Sequence, residues 1–322
     1  MSKNIIICCD GTGNEYGNKN TNVVKLFDII EKVSEKQIAY YDPGVGTLSA
    51  PGVFTKPMKF ISKLSGLAFG FGITRNIEDA YEYLMDKYEE GDYVYLFGFS
   101  RGAFTVRALA GMLHKCGLLE KGSNNLIPYA TRMYRYGSID IADGFKRTFS
   151  RECKPHFVGV WDTVKSIGLF IPRRFPNALL NTDVNVGIQA LSIDEKRSKF
   201  RPNLWEVVED VNQYIRQVWF AGVHSDVGGS YKESGLSDVA LKWLIDEALK
   251  HGLIINEGKY SQIKPNPEDK LHNSLLPFWW ILGWKRRKIV NDSLIHHSVY
   301  ERIEKKNYNP QNLPSKNLVN VV

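Results

Sequence analysis

Short runs of β-branched and aromatic residues recur along the chain and read as buried strands: Ile5–Cys9, Ile38–Tyr41, Tyr93–Phe97, Phe157–Trp161 and Gln217–Val223. Between them lie stretches with helical spacing. One runs over Val23–Val33, with Val23, Leu26, Phe27 and Ile30 on one face and Asn22 placed to cap it. Another covers Ile73–Tyr88, with Ile77, Ala80, Tyr81 and Leu84 inward. Ala103–Lys115 is closed by Gly117, and Leu236–His251 by Gly252. Strand and helix alternate throughout, which predicts an α/β fold with a mainly parallel central sheet flanked by helices. Residues 48–72 mix Gly, Pro, Phe and Leu without a clean period, and together with 260–290 they read as insertions that form a lid or cap. No repeat, low-complexity linker or shift in composition forces a second domain, so residues 1–322 are expected to form one catalytic unit.

Composition narrows the class. With 43% hydrophobic and 24% charged residues over 322 positions, the chain is an ordinary globular protein rather than a disordered or disulfide-scaffold one. No apolar run approaches the ~18 residues of a membrane span. The four cysteines, Cys8, Cys9, Cys116 and Cys153, lack metal-ligand spacing and read as buried reduced thiols. Ile5-Ile6-Ile7 is too short for a signal-peptide core. A cytoplasmic protein is therefore expected, with export only by a route that reads no cleaved signal. The net charge of +7 favours anionic partners without choosing among them, and nucleic acid has nothing but this charge to support it.

The chemistry is concentrated at the ends of the predicted strands. Gly98-Phe99-Ser100-Arg101-Gly102, between a strand and a helix, has the form of a nucleophile elbow: a sharp turn that lifts the serine hydroxyl above the sheet. A serine of ordinary pKa needs a base, and the base needs an acid to orient it. Asp162 and His224 each follow an apolar strand directly, in the chain order Ser, Asp, His, so these three are the expected nucleophile, acid and base. The other candidates for the acid are Asp183 and Asp194; Asp226, two residues after the base, reads better as an anchor of the histidine loop. The oxyanion hole is expected from the Arg101 backbone N–H and from Gly11 and Thr12 in the loop after the first strand. Asp10 could suggest an aspartate nucleophile, but position 8 is Cys8 where that pattern has a second aspartate, so Asp10 is expected to shape the loop. No metal or other cofactor is required.

Several strings together resemble the α/β-hydrolases of the domain of unknown function 2235, which include type VI secretion phospholipase effectors of the Tle1 type. They are Cys9-Asp10-Gly11-Thr12-Gly13-Asn14, Tyr41 to Thr47, Gly98 to Gly102 with Ala108 to Gly111, Gly159 to Val164, Val218 to Gly229, His297 to Val299 and Tyr308 to Pro314. The resemblance implies an α/β-hydrolase-like fold and carries the family's triad onto Ser100, Asp162 and His224. One departure is Gln189, where the family often has a histidine before Ala190-Leu191-Ser192-Ile193-Asp194-Glu195. The chain ends near Val322 without the long C-terminal module of the secreted effectors, so delivery by a secretion machine is not expected.

The substrate is the open question at this level. Pro277-Phe278-Trp279-Trp280-Ile281-Leu282-Gly283-Trp284 is followed at once by Lys285-Arg286-Arg287-Lys288, the pairing of rings and cations that an interfacial segment uses on anionic lipid. Core packing of the rings beside a solvated basic turn is the plainer alternative. Phe54, Phe60, Leu64, Leu67, Phe69 and Phe71 are a second candidate acyl-chain wall. Three functions follow: a phospholipase or lipase with peripheral contact to anionic membrane, a soluble esterase or thioesterase of small acyl substrates, and a non-catalytic scaffold that keeps the fold. Oligomeric state is not legible.

Overall fold

In the computed structural model, residues 2–11, 17–32, 35–44, 66–164, 180–206, 212–275 and 283–322 are described. Their centre is an eight-stranded sheet in which every neighbouring pair is parallel. In chain order the strands are β1 (Asn4–Cys9), β2 (Gln37–Asp42), β3 (Tyr93–Phe99), β6 (Pro155–Trp161), β7 (Val186–Ser192), β8 (Tyr214–Phe220) and the two-residue β9 (Leu294–Ile295) and β10 (Asn320–Val321). β4 (Leu118–Leu119) and β5 (Ser150–Arg151) pair separately and antiparallel. Across the sheet the order is β10-β9-β8-β7-β6-β3-β1-β2. The chain therefore leaves β1 toward one edge and resumes at β3 on the other side. Loops diverge between these two strands, opening the kind of crevice at the carboxyl edge where ligands bind in open α/β sheets.

The period-2 alternation of the strands sets the two faces. Ile5, Ile7, Cys9, Val94, Leu96, Val158 and Val160 point into one core, under helices α2 (Gly66–Lys87), α3 (Arg101–Cys116), α4 (Ile127–Tyr136) and α5 (Ile139–Phe149). Ile6, Cys8, Tyr95, Phe97, Phe157, Trp161 and Ile188 point into the other, under α1 (Asn22–Ile29) and α7 (Gly235–Lys250). Cys8 and Cys9 thus lie on opposite faces, as a strand requires. All four cysteines are buried and unbridged, and burial pushes the Cys116 and Cys153 thiols up to about 12. A smaller core of Leu191, Ile193, Trp219, Ile295 and Val299 forms under α8 (His297–Lys306).

The α/β class and the parallel sheet are as the alternation of elements predicts. Several elements differ: β8 spans Tyr214–Phe220 where Gln217–Val223 is expected, and α1 ends at Ile29 where Val33 is expected. α2 starts at Gly66, seven residues ahead of the expected Ile73; glycines at 66, 70 and 72 masked the helical signal. α1 is capped by Thr21, whose hydroxyl accepts the Val24 N–H at 3.2 Å, and not by Asn22. Asn22 instead donates to Val227 O at 2.8 Å and Ser237 O at 3.0 Å, tying α1 to the histidine segment. β7 has no counterpart in the sequence reading, although all its residues are buried. The remainder of the predicted 48–72 insertion, and Pro277–Leu282, lie outside the described residues.

Candidate functional site

Each of the three expected residues stands at the carboxyl end of a parallel strand. Ser100 follows β3 with φ 57° and ψ −114°, the left-handed and strained backbone of the elbow. The glycines on either side leave no room for a side chain. A Cβ on Gly98 would lie 2.6 Å from the Ala103 nitrogen, and one on Gly102 would lie 2.0 Å from the Cys9 carbonyl oxygen. The elbow is thus pressed onto the end of β1. Asp162 follows β6, also at positive φ (41°), with its N–H donated to Ala190 O at 2.8 Å. His224 opens the short helix α6 (His224–Gly228) after β8.

β8 lies three strand spacings from β3, about 14 Å at the usual ~4.8 Å per strand. The short segment Ala221–Val223 between β8 and α6 brings the imidazole back across that gap. His224 Nε2 then lies 2.8 Å from Ser100 Oγ, and Nδ1 lies 2.6 Å from Asp162 Oδ2. The ring is held between Phe99 (centroids 4.6 Å apart) and Phe200 (5.0 Å). All three side chains are buried, Asp162 completely.

Five donors converge on the Asp162 carboxylate. Besides His224, these are the Ser192 N–H at 2.9 Å, the Ser192 hydroxyl at 3.2 Å, and two arms of the Arg287 guanidinium at 2.5 and 2.9 Å. Burial pushes this carboxyl up, but Arg287 and His224 outweigh it and hold the acid far below the usual carboxylate range. For His224 burial wins over the pull of Asp162, so its imidazole is displaced downward and neutral at pH 7. A neutral imidazole oriented by a carboxylate and touching a hydroxyl can take that hydroxyl's proton.

Supporting groups surround the histidine loop. Glu195 accepts the His224 backbone N–H at 3.3 Å, is clamped by Arg197 at 2.8 and 2.9 Å, and accepts the Ser274 hydroxyl at 2.9 Å. Asp226 accepts the Val223 N–H at 3.0 Å and binds His272 Nδ1 at 2.6 Å. Asp194 accepts the Gly222 N–H and the Tyr308 hydroxyl, both at 2.7 Å, and Asp183 pairs with His114 at 2.9 Å. Neither of these two faces the imidazole in the way Asp162 does. Gln189 is buried on β7 and donates to Asn203 O at 3.3 Å, a packing role.

The loop after β1 differs from expectation in one respect. Asp10 is buried and accepts from Thr21 Oγ1 at 2.6 Å and Tyr41 OH at 3.0 Å, which ties the loop to α1 and β2. It also accepts the Gly11 N–H at 2.6 Å, so that donor is directed at Asp10 rather than toward an oxyanion. Thr12 lies outside the described residues. The Arg101 N–H is at the first position of α3, directly after Ser100, where helix N–H groups point out of the helix end.

Arg287 is the residue that sequence reasoning missed. By charge alone the basic run reads as one surface feature, but in the structure it divides. Lys285, Arg286 and Lys288 are exposed, as is Trp284, while Arg287 is buried on Asp162. Nothing in the local pattern marks which of four consecutive cations turns inward. Among the described residues no cluster of three His, Cys, Asp or Glu could hold a metal ion, and no helix is long and apolar enough to cross a membrane.

The family described as T6SS, phospholipase effector Tle1-like, catalytic domain matches residues 3–247. An uncharacterised protein of Saccharomyces cerevisiae, YEL023C, is 39% identical over 218 residues, which are 62% of this chain and 32% of that protein. The chain therefore spans about a third of the length of this curated relative. Two solved structures are similar at low identity. An uncharacterised protein from Pseudomonas aeruginosa has 16% identity and a TM-score of 0.45, over 83% of this chain and 49% of the other. The Tle1 effector bound to the VgrG spike of the type 6 secretion system has 17% identity and a TM-score of 0.41, over 72% and 52%.

Proposed function

The chain belongs to the Tle1-like phospholipase effector catalytic domain family, and we propose that it is a serine hydrolase of carboxylic esters acting through Ser100, His224 and Asp162. The observation that carries this reading is the unbroken chain from Ser100 Oγ through the imidazole to Asp162, at 2.8 and 2.6 Å, starting from a strained elbow. His224 takes the Ser100 proton as the oxygen attacks the ester carbonyl. Asp162 keeps Nδ1 protonated and stabilises the imidazolium that forms. The Arg101 N–H is the oxyanion donor, helped by the positive end of α3. His224 then gives its proton to the departing alcohol, and water, activated by the same imidazole, releases the acid from Ser100. Asp10 and Asp226 hold the two loops that frame these steps.

Phospholipid is the substrate class we favour. Trp284 stands about half exposed (47%) beside exposed Lys285, Arg286 and Lys288, a ring with three cations on one strap. Near an anionic bilayer each cation contributes about 1 kcal/mol. The expected result is labelling by a fluorophosphonate probe, abolished in a folded Ser100→Ala protein, with release of fatty acid from phosphatidylglycerol vesicles. A folded wild type that takes no label would sink the hydrolase reading. Cleavage of 4-nitrophenyl butyrate without any release from vesicles would replace phospholipid by small esters.

A further inference from the structure

Building on the hydrolase reading, we infer that Arg287 is a positioning residue of the reacting chain: its guanidinium fork fixes the plane of the Asp162 carboxylate and shares its charge with His224. Both carboxylate oxygens are engaged, Nη1 on Oδ1 and Nη2 on Oδ2. This bidentate arrangement restricts rotation about the carboxyl axis more than a single contact does. Without it, Oδ1 keeps only the Ser192 N–H, and Oδ2 is left to aim at His224 with the Ser192 hydroxyl.

The fork is itself fixed. Nη1 donates to Ser192 O at 3.0 Å and Nη2 to Phe200 O at 2.7 Å, so each arm of the guanidinium has a second partner besides the carboxylate. Its backbone carbonyl accepts Asn312 Nδ2 at 3.1 Å. The preceding strap is pinned by Lys285 N–H to Lys196 O at 2.8 Å and Ser198 N–H to Gly283 O at 3.2 Å. Arg287 thus reaches the acid from 125 residues away on a strap tied to the segment that also supplies Glu195 and Phe200.

The electrostatic consequence has a definite sign. His224 faces Asp162 and Glu195 as anions and Arg197 as a cation. Arg287 draws on the charge of Asp162 from the far side and lessens its pull on the imidazole proton. A neutral residue at 287 leaves that pull whole, so the imidazolium is favoured and the base is protonated at higher pH.

The test follows the His224 Nδ1–H proton resonance against pH and measures kcat and KM on 4-nitrophenyl butyrate. In Arg287→Gln the His224 pKa is expected to rise by about one unit. kcat should fall about 10- to 100-fold, with KM little changed. Arg287→Lys keeps the charge but not the fork, so it should hold the wild-type titration while kcat drops several-fold. An unmoved His224 titration in Arg287→Gln, or wild-type kcat in Arg287→Lys, would overturn the assignment. If Arg287→Gln does not fold, Arg287→Lys decides by the same two readouts. A wild type without esterase activity counts against the hydrolase reading alone, since the resonance still reports what Arg287 does to the Asp162–His224 pair.

Discussion

Two histidine–aspartate pairs sit within a few residues of each other, and both close to 2.6 Å: His224 with Asp162, and His272 with Asp226. They differ in what lies beyond the pair. The second nitrogen of His224 meets the Ser100 hydroxyl at 2.8 Å, whereas that of His272 faces the Glu233 carboxylate at 3.4 Å. His272 is also stacked on Tyr231, with ring centroids 3.8 Å apart. The acids differ as well. Asp162 is held low by Arg287 and His224 against full burial, while burial prevails at Asp226 and raises it despite its hydrogen bonds. A short histidine–carboxylate contact is therefore not in itself a reacting group. A hydroxyl on the far nitrogen and a cation behind the acid separate the pair proposed to react from the one that fastens a loop.

The two pairs should part most widely when their acids are replaced. Asp162→Asn is expected to lower kcat about 10³- to 10⁴-fold, because an amide holds the wrong imidazole tautomer. Steady-state kinetics on a soluble ester would show it, and a loss under tenfold would place Asp162 outside the chemistry. Asp162→Asn also strands Arg287 in the interior and should cost about 3–5 kcal/mol at pH 7. Asp226→Asn, which removes a carboxylate that burial already disfavours, should cost about 1–3 kcal/mol. The sign with pH follows from the acids. Asp162, depressed in the fold, contributes stability that is present above about pH 3.9 and lost as pH falls below it. Urea denaturation at pH 7 and at about pH 3, below the unfolded carboxyl value, should show the cost of Asp162→Asn shrinking; a cost that stays constant would contradict the depressed Asp162.

His272→Ala tests the other half of the contrast. Its expected effect on kcat is at most a few-fold, with a loss of about 1–2 kcal/mol from the cut tie to Asp226. A thousandfold loss of kcat in a folded protein would make His272 a participant and end the distinction. The smallest expected effect concerns pH. Since His224 is displaced downward, the acid limb of kcat/KM should fall below the ordinary histidine value of about 6.5. A pH–rate profile with its limb at or above that value would show that the pull of Asp162 prevails over burial.

Much of the candidate site was legible in the chain because it rests on local features. Gly98-x-Ser100-x-Gly102 is readable since the elbow needs tiny residues at fixed offsets from the serine, and the structure shows Gly98 and Gly102 in contact with backbone. Asp162 and His224 were readable as polar residues that end apolar runs, and parallel strands gather such ends on one edge. The ends of β1 and β6 and the α/β class follow from the same alternation, whereas β3 runs on to Phe99 and β8 stops at Phe220, three residues before the expected Val223. β7 was missed because its glycine and glutamine dilute the apolar signal, although Gln189 is wholly buried there. Residue type alone makes Asn22 a cap, but the neighbouring Thr21 takes that place and frees Asn22 to bind Val227 and Ser237.

By itself the sequence determined which residue types stand at the ends of which strands, since hydrophobic periodicity and turn chemistry act over a few residues. Only the tertiary structure decided which of them meet. Ser100 and His224 are 124 residues apart, and Asp162 and Arg287 are 125 apart. No local period encodes contacts of that reach. The basic run shows the reason most plainly: four adjacent cations look alike in the chain, and the fold buries Arg287 because only there does a buried carboxylate wait to offset the loss of water.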